Sequence, residues 1–223
     1  MAAHDTVERL LLNLRGGDPF ADVAASAPSH RDEHGQECGL YPAGPAVMSL
    51  AGSFARAAHA RTTLDLGCGT GYSSLWLAHS TSTASRLDAV DRFGWHLDLA
   101  RHNAATHGLG ARITFHEADA AGYLATCDTR YDLIHDDAWF AHEPSYLQVM
   151  IGRLEPGGVL TMPNWFLLTE AVSDHPSRDW SEFAGSDWRD ATLSYAHRLA
   201  SHPELEVNWI TDPPLGVAVR RGR

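Results

Sequence analysis

From residue 62 onward, short apolar runs alternate with stretches of helical spacing, and this alternation constrains the fold of the 223-residue chain more than any other feature. The spacing predicts strands over residues 62–66, 86–90, 112–116, 131–135 and 159–162. Helices are predicted between them over 72–78, 95–107, 120–125 and 146–154. Repeated strand–helix–strand units build a parallel sheet, because a parallel return needs a crossover of about a dozen residues. A further helix over 190–200 precedes two β-like runs, 205–210 and 215–220, joined by Thr211-Asp212-Pro213-Pro214. So short a connection makes that last pair antiparallel.

Ahead of the alternation, Val7, Leu10, Leu11 and Leu14 recur at helical spacing and stop at Gly16 and Gly17. Residues 28–45 are polar and turn-rich, read as a loop or lid that leads into a helix over 46–59. The expected organisation is one domain, with N-terminal helices and lid over 1–60 and the core over 61–223. A chain of this length needs only one core.

Charge narrows the partners. The net charge is −11 with neutral histidines, and the 17 Lys and Arg residues are scattered apart from Arg220, Arg221 and Arg223. Such a surface disfavours a polyanion, so a small molecule is expected rather than nucleic acid. Cys38, Cys68 and Cys127 are too few and too widely spaced for a disulfide framework, which fits a reducing compartment. No apolar run of 18 residues or secretory leader is evident, so neither a membrane nor export is expected, and the expected location is the cytoplasm.

The chemistry begins where the first strand ends. Leu64-Asp65-Leu66 runs into Gly67-Cys68-Gly69-Thr70-Gly71, placing three glycines where the backbone turns and a ligand approaches closely. The dinucleotide fingerprint is G-x-G-x-x-G, whereas this loop is G-x-G-x-G with Tyr72 in place of the last glycine, which lowers a nicotinamide reading. Asp91 closes the second strand, where a carboxylate can accept both hydrogen bonds of a ribose diol. Asp119 follows the third strand, placed to face an adenine amino group.

With those residues the chain resembles the class I methyltransferases. The resemblance runs from Leu64–Gly71 through Asp91, Asp119, Tyr131-Asp132-Leu133-Ile134 and Leu154-Glu155-Pro156-Gly157-Gly158, over roughly residues 44 to 165. It implies a Rossmann-like α/β fold with a mostly parallel seven-stranded sheet and an antiparallel C-terminal strand. It also implies an S-adenosylmethionine site. Gly67 and Gly69 would border the methionine moiety, Asp91 would hold the ribose, and Asp119 with Ala120 would recognise adenine. Cys68, Thr70, Gly71, Tyr72, Ser73, Arg92 and Asp136 complete the expected cofactor set.

Within that class the chain is similar to the catechol and caffeoyl-CoA O-methyltransferases, through Gly71-Tyr72-Ser73, Gly44-Pro45-Ala46-Val47 and Asp137-Ala138-Trp139-Phe140. That family commonly holds a divalent metal with an Asp after the fourth strand and an Asp-Asn pair after the fifth. Asp137 and Asn164 match two of those positions, but Pro163 stands at the third, and Phe140 replaces the family lysine. Metal-dependent catechol chemistry is therefore disfavoured. Methyl transfer needs alignment and, where the acceptor is protonated, a base. The candidates are His135, Asp136 and Asp137 at the end of the fourth strand and His142 just beyond it, with His142 first because its loop is expected to face the pocket and His135 equally readable as a packed strand residue.

Trp139, Asn164 and Trp165 are the expected substrate contacts, with core packing as the alternative for the tryptophans. Trp180, Phe183 and Trp188 could complete the pocket or bury a homodimer contact. His30, His34 and Cys38 sit at four-residue intervals that would suit zinc on a helix, but Gly35 interrupts a helix and a fourth ligand is not evident, so a polar lid is expected. The sequence thus points to methyl transfer onto a small molecule, on oxygen first. An N-methyltransferase of the same fold, a cofactor-binding but silent module, and an NAD-binding reductase are the alternatives.

Overall fold

A computed structural model of the chain describes residues 10, 12–14, 16–32, 34–138, 144–173 and 188–222. Seven strands form one sheet in the order β3-β2-β1-β4-β5-β7-β6. They are β1 (Thr62–Leu66), β2 (Arg86–Asp91), β3 (Ile113–Glu117), β4 (Tyr131–Asp136), β5 (Leu154–Met162), β6 (Leu205–Thr211) and β7 (Pro214–Arg220). The first five pair in parallel, while β7 pairs antiparallel with both β5 and β6. The α/β alternation and the closing antiparallel pair are as the sequence predicts. Strand order reverses direction between β1 and β4, and such switch points are where open parallel sheets bind ligands.

The helices are α1 (Ala21–Ser26), α2 (Pro45–Ala57), α3 (Tyr72–Ser80), α4 (Gly94–Thr106), α5 (Ala120–Thr126), α6 (Pro144–Arg153), α7 (Phe166–Val172) and α8 (Trp188–Ala200). The opening helix expected before Gly16 falls largely outside the described residues. Its stop is described. Gly16 and Gly17, both at positive φ, return N–H bonds to Asn13 and Leu12, the pattern that ends a helix on a left-handed glycine.

Both faces of the sheet are covered. On β1, Leu64 and Leu66 point into one apolar layer with Val90, Ile134, Met150 and Leu160. The other layer gathers Met48, Leu75, Leu77, Leu97 and Leu133. Strand alternation therefore turns Asp65 toward α3, which is buried along nearly its whole length.

Two elements depart from expectation. β5 starts at Leu154 rather than Val159, because Glu155–Gly158 bulge against β4, whose register shifts between Tyr131 and Leu133. The residues after β5, expected as pocket wall, form a 3₁₀ turn (Pro163–Trp165) and α7.

Candidate functional site

The glycine loop spans from the end of β1 to the start of α3. Gly67, Gly69 and Gly71 have φ of 79°, 50° and 91°, a region that side chains with a Cβ rarely enter. The N–H groups of Gly67 and Cys68 donate to Val90 O at 2.9 and 3.1 Å, and that of Gly71 to Cys68 O at 2.8 Å. A Cβ on Gly67 would lie 2.9 Å from the Asp137 carbonyl, and one on Gly71 would lie 3.1 Å from Ala100 Cβ. The loop therefore threads between the end of β4 and α4, with Asn103 Nδ2 holding Thr70 O at 2.9 Å.

Asp91 locks the loop from β2. Its Oδ2 accepts the Gly69 N–H at 3.0 Å, while Oδ1 accepts the Phe93 N–H at 3.0 Å and lies 3.0 Å from His96 Nδ1. A carboxylate offers about four acceptor sites, so three are engaged by the protein and one remains for a ligand hydroxyl.

Two cavities meet here. The larger, about 600 Å³, is lined by Gly67, Asp91, Arg92, Asp119 and Ala120 among others, at the carboxyl ends of the strands. Its size falls in the range of cofactor sites. The smaller, about 50 Å³, lies between the loop residues Cys68, Gly69 and Thr70 and the lid residues Leu40 and Tyr41. Leu40, Gly67 and Asp137 line both.

The expected cofactor residues divide by position. Tyr72 and Ser73 line the smaller cavity, but their hydroxyls donate to Asp18 Oδ2 at 2.8 Å and to Asp65 Oδ2 at 2.8 Å. Asp119 caps α5 by accepting the Gly122 N–H at 3.0 Å, and it also lines the larger cavity. Asp136 is corrected: alternation along β4 turns it to the other face, where Oδ1 accepts the Tyr146 hydroxyl at 2.9 Å. Burial pushes its carboxyl up to about 6.

Asp137 stands at the junction of the cavities. Its N–H donates to Leu66 O at 2.9 Å, and its Oδ1 accepts the Asn164 amide N–H at 2.6 Å. Burial, and then the nearby Asp65, raise its carboxyl well above the ordinary range, with Asn164 pulling it back. Asp65 is itself buried, accepts Ser73 and Ser74 hydroxyls, and is pushed up to about 6 by that burial. The side chains of Asp137 and Asn164 thus occupy one another. Pro163 is buried and has no donor atom to add. One carboxylate and one committed amide do not make the oxygen-rich octahedron that magnesium prefers, so the metal site of the catechol type does not fit these residues.

Two further expectations are corrected. His135 is fully buried, with Nδ1 2.9 Å from Thr161 Oγ1, and desolvation pushes its imidazole down to about 4. It is a packed strand residue, far from the solvent a base would exchange protons with. Trp165 is 5% exposed, stacked on Tyr195 at 6.4 Å and set edge-on to Trp209 at 4.4 Å. Gly216 leaves the space for it, since a Cβ there would fall on the indole. Trp165 therefore belongs to the core. Trp139, Phe140, His142, Trp180 and Phe183 lie outside the described residues, while Trp188 lines the larger cavity. The sequence reading missed Leu40, although an apolar residue inside a polar lid was a usable signal.

A family model described as a methyltransferase domain matches residues 58–206. A release factor glutamine methyltransferase of Chlorobaculum tepidum is 33% identical over 132 residues, covering 57% of this chain and 45% of the relative. The chain spans about half the length of the curated relatives it matches. Among solved structures, the O-methyltransferase TomG of Streptomyces achromogenes in complex with SAM has a TM-score of 0.72 at 22% identity, with 90% of each chain covered. A Staphylococcus aureus structure described as a caffeoyl-CoA O-methyltransferase has a TM-score of 0.80 at 17% identity, covering 97% of this chain and 100% of that one. The sheet order and its antiparallel close are those of the class I methyltransferase fold.

Proposed function

The chain belongs to the methyltransferase domain family, and on that premise we propose that it transfers a methyl group from S-adenosylmethionine to an oxygen of a small molecule. The observation that carries this reading is the pair of cavities joined at Gly67 and Asp137, one of cofactor size beneath the strand ends and one between the glycine loop and the lid.

Adenosylmethionine, when bound, supplies a methyl group already activated on a sulfonium. The protein then has to align an acceptor and take its proton. Gly67 lines both cavities and Gly69 the smaller one with backbone alone. Asp91 has an acceptor position left for a ribose hydroxyl, and Asp119, which lines the larger cavity, would face the adenine. Asp137 is the proton acceptor we favour, because its raised carboxyl sits where the cavities meet. Asn164 orients it through the 2.6 Å hydrogen bond.

The net charge of −11 favours a small acceptor over nucleic acid. Among the described residues no helix is long and apolar enough to cross a membrane. Cys38, Cys68 and Cys127 are free thiols, which goes with a reducing, cytoplasmic setting. The similarity to TomG and to the S. aureus structure, both described as O-methyltransferases, favours oxygen as the acceptor atom.

A screen of phenols, carboxylic acids and amines with adenosylmethionine, read by mass, tests the proposal. Products bearing one added methyl on oxygen, with matching adenosylhomocysteine, are expected. Products from amines alone would replace it with the N-methyl reading, and cofactor binding without any product would leave a silent module.

A further inference from the structure

The lid carries a cluster that methyl transfer does not use. Residues 30–32 and 34–38 form the two sides of a tight hairpin: Arg31 bridges Glu37 in both backbone and side chain, and Cys38 N–H donates to His30 O at 3.0 Å. Asp32 Oδ1 accepts the N–H groups of His34 and Gln36 at 2.8 Å each, and Gly35 at φ 76° makes the turn. The hairpin sets His30 beside Cys38, with Nδ1 3.3 Å from Sγ. It also lays both against His96 on α4, whose ring meets His30 edge-on at 5.4 Å. One ligand atom from each of the three residues lies within 4.8 Å of the others.

His96 indicates what this arrangement is for. The residue is 3% exposed, its Nδ1 is committed to Asp91 Oδ1 at 3.0 Å, and its Nε2 is buried with no hydrogen-bond partner. A carboxylate on one ring nitrogen with the other left bare is the way metal-binding histidines are oriented and made more basic. A buried nitrogen without a partner is otherwise a net cost.

We propose that His30, Cys38 and His96 bind a zinc ion, with Asp91 as the supporting carboxylate. In a tetrahedral site with bonds near 2.0 Å to nitrogen and 2.3 Å to sulfur, neighbouring N and S ligands sit roughly 3.5 Å apart, close to the 3.3 Å found. Two imidazoles and a thiolate are soft enough to exclude magnesium and calcium. Binding displaces the Cys38 thiol proton to solvent and forms the Zn–S bond. Cys38 and His96 line the larger cavity, so the fourth position would face that cavity. The ion would staple the lid hairpin to α4 beside the glycine loop, and this holds whatever the acceptor of the methyl group is.

The test uses the full chain, stripped of metal and titrated with zinc against a chromophoric chelator and with cobalt(II) followed by absorption. One equivalent of zinc should bind, and cobalt should show a thiolate-to-metal charge-transfer band with the strong visible bands of four-coordination. Cys38→Ser should remove that band, His30→Ala should weaken zinc binding by at least the roughly 10–100-fold that loss of a supporting partner costs, and Cys127→Ser should change neither. Zinc should also slow amide exchange over residues 30–38. Absence of stoichiometric zinc in the wild type, a charge-transfer band that survives Cys38→Ser, or a band lost in Cys127→Ser overturns the proposal. Should Cys38→Ser not fold, the wild-type titration and His30→Ala decide it.

Discussion

The amide of Asn164 donates to Asp137 Oδ1 across 2.6 Å and so ties the turn after β5 to the end of β4 where the two cavities meet. This bond positions a carboxylate that burial has made a better proton acceptor than an ordinary aspartate. Asp137→Asn keeps the shape and removes the proposed base. It should lower kcat about 100-fold or more while cofactor affinity stays within a few-fold. The rate of the wild type should fall as pH drops through the raised carboxyl range, and added magnesium should not increase it. A magnesium-dependent rate lost in Asp137→Ala would show that the catechol-type metal site survives despite Pro163.

Gly67→Ala tests the loop. The substitution meets the Asp137 carbonyl at 2.9 Å and requires φ of 79°. Strain of about 1–3 kcal/mol and at least a tenfold loss of adenosylhomocysteine affinity are expected, measured by urea unfolding and calorimetry. Unchanged affinity would mean that the loop does not border the ligand.

Trp165→Ala separates core from pocket. Removing an indole packed on Tyr195 and Trp209 should cost about 3–5 kcal/mol, read from the unfolding midpoint. Cofactor affinity of the folded fraction should not change. A stable variant with altered acceptor preference would return Trp165 to the substrate wall.

Much of this was legible in the sequence, and the failures have physical causes. The bounds of β1 follow from one apolar run and its glycine stop. The sequence predicts only the second half of β5 because Glu155-Pro156-Gly157-Gly158 looks like a turn and is a bulge in a strand that still pairs. Trp165 was ambiguous because its space is made by Gly216, on a strand far along the chain. His30, His34 and Cys38 stand at helical spacing in the sequence, whereas a hairpin turning at Gly35 pairs the first with the third. The partner, His96, comes from another element and has no local signature.

His135 carries a pH dependence of its own. Burial puts its folded pKa near 4, below the ordinary 6.5, so the unfolded chain takes up the proton first. Its contribution to stability is therefore lost as pH falls from about 6.5 toward 4, amounting to about 2 kcal/mol at pH 5. Asp65 and Asp136, both pushed up to about 6, act in the opposite direction and gain stability as they protonate. His135→Phe removes only the first effect. Its stability relative to the wild type should rise between pH 7 and pH 5 in urea unfolding, and a difference independent of pH would contradict the buried, neutral histidine.

The central claim is that the cavity beneath Gly67, Asp91 and Asp119 holds adenosylmethionine. Calorimetric titration of the wild type and Asp91→Ala with adenosylmethionine, adenosylhomocysteine and NADH tests it most directly. Stoichiometric binding of the first two, weakened at least tenfold in Asp91→Ala and with no response to NADH, is the predicted result. Tight NADH binding with no response to adenosylhomocysteine would contradict it.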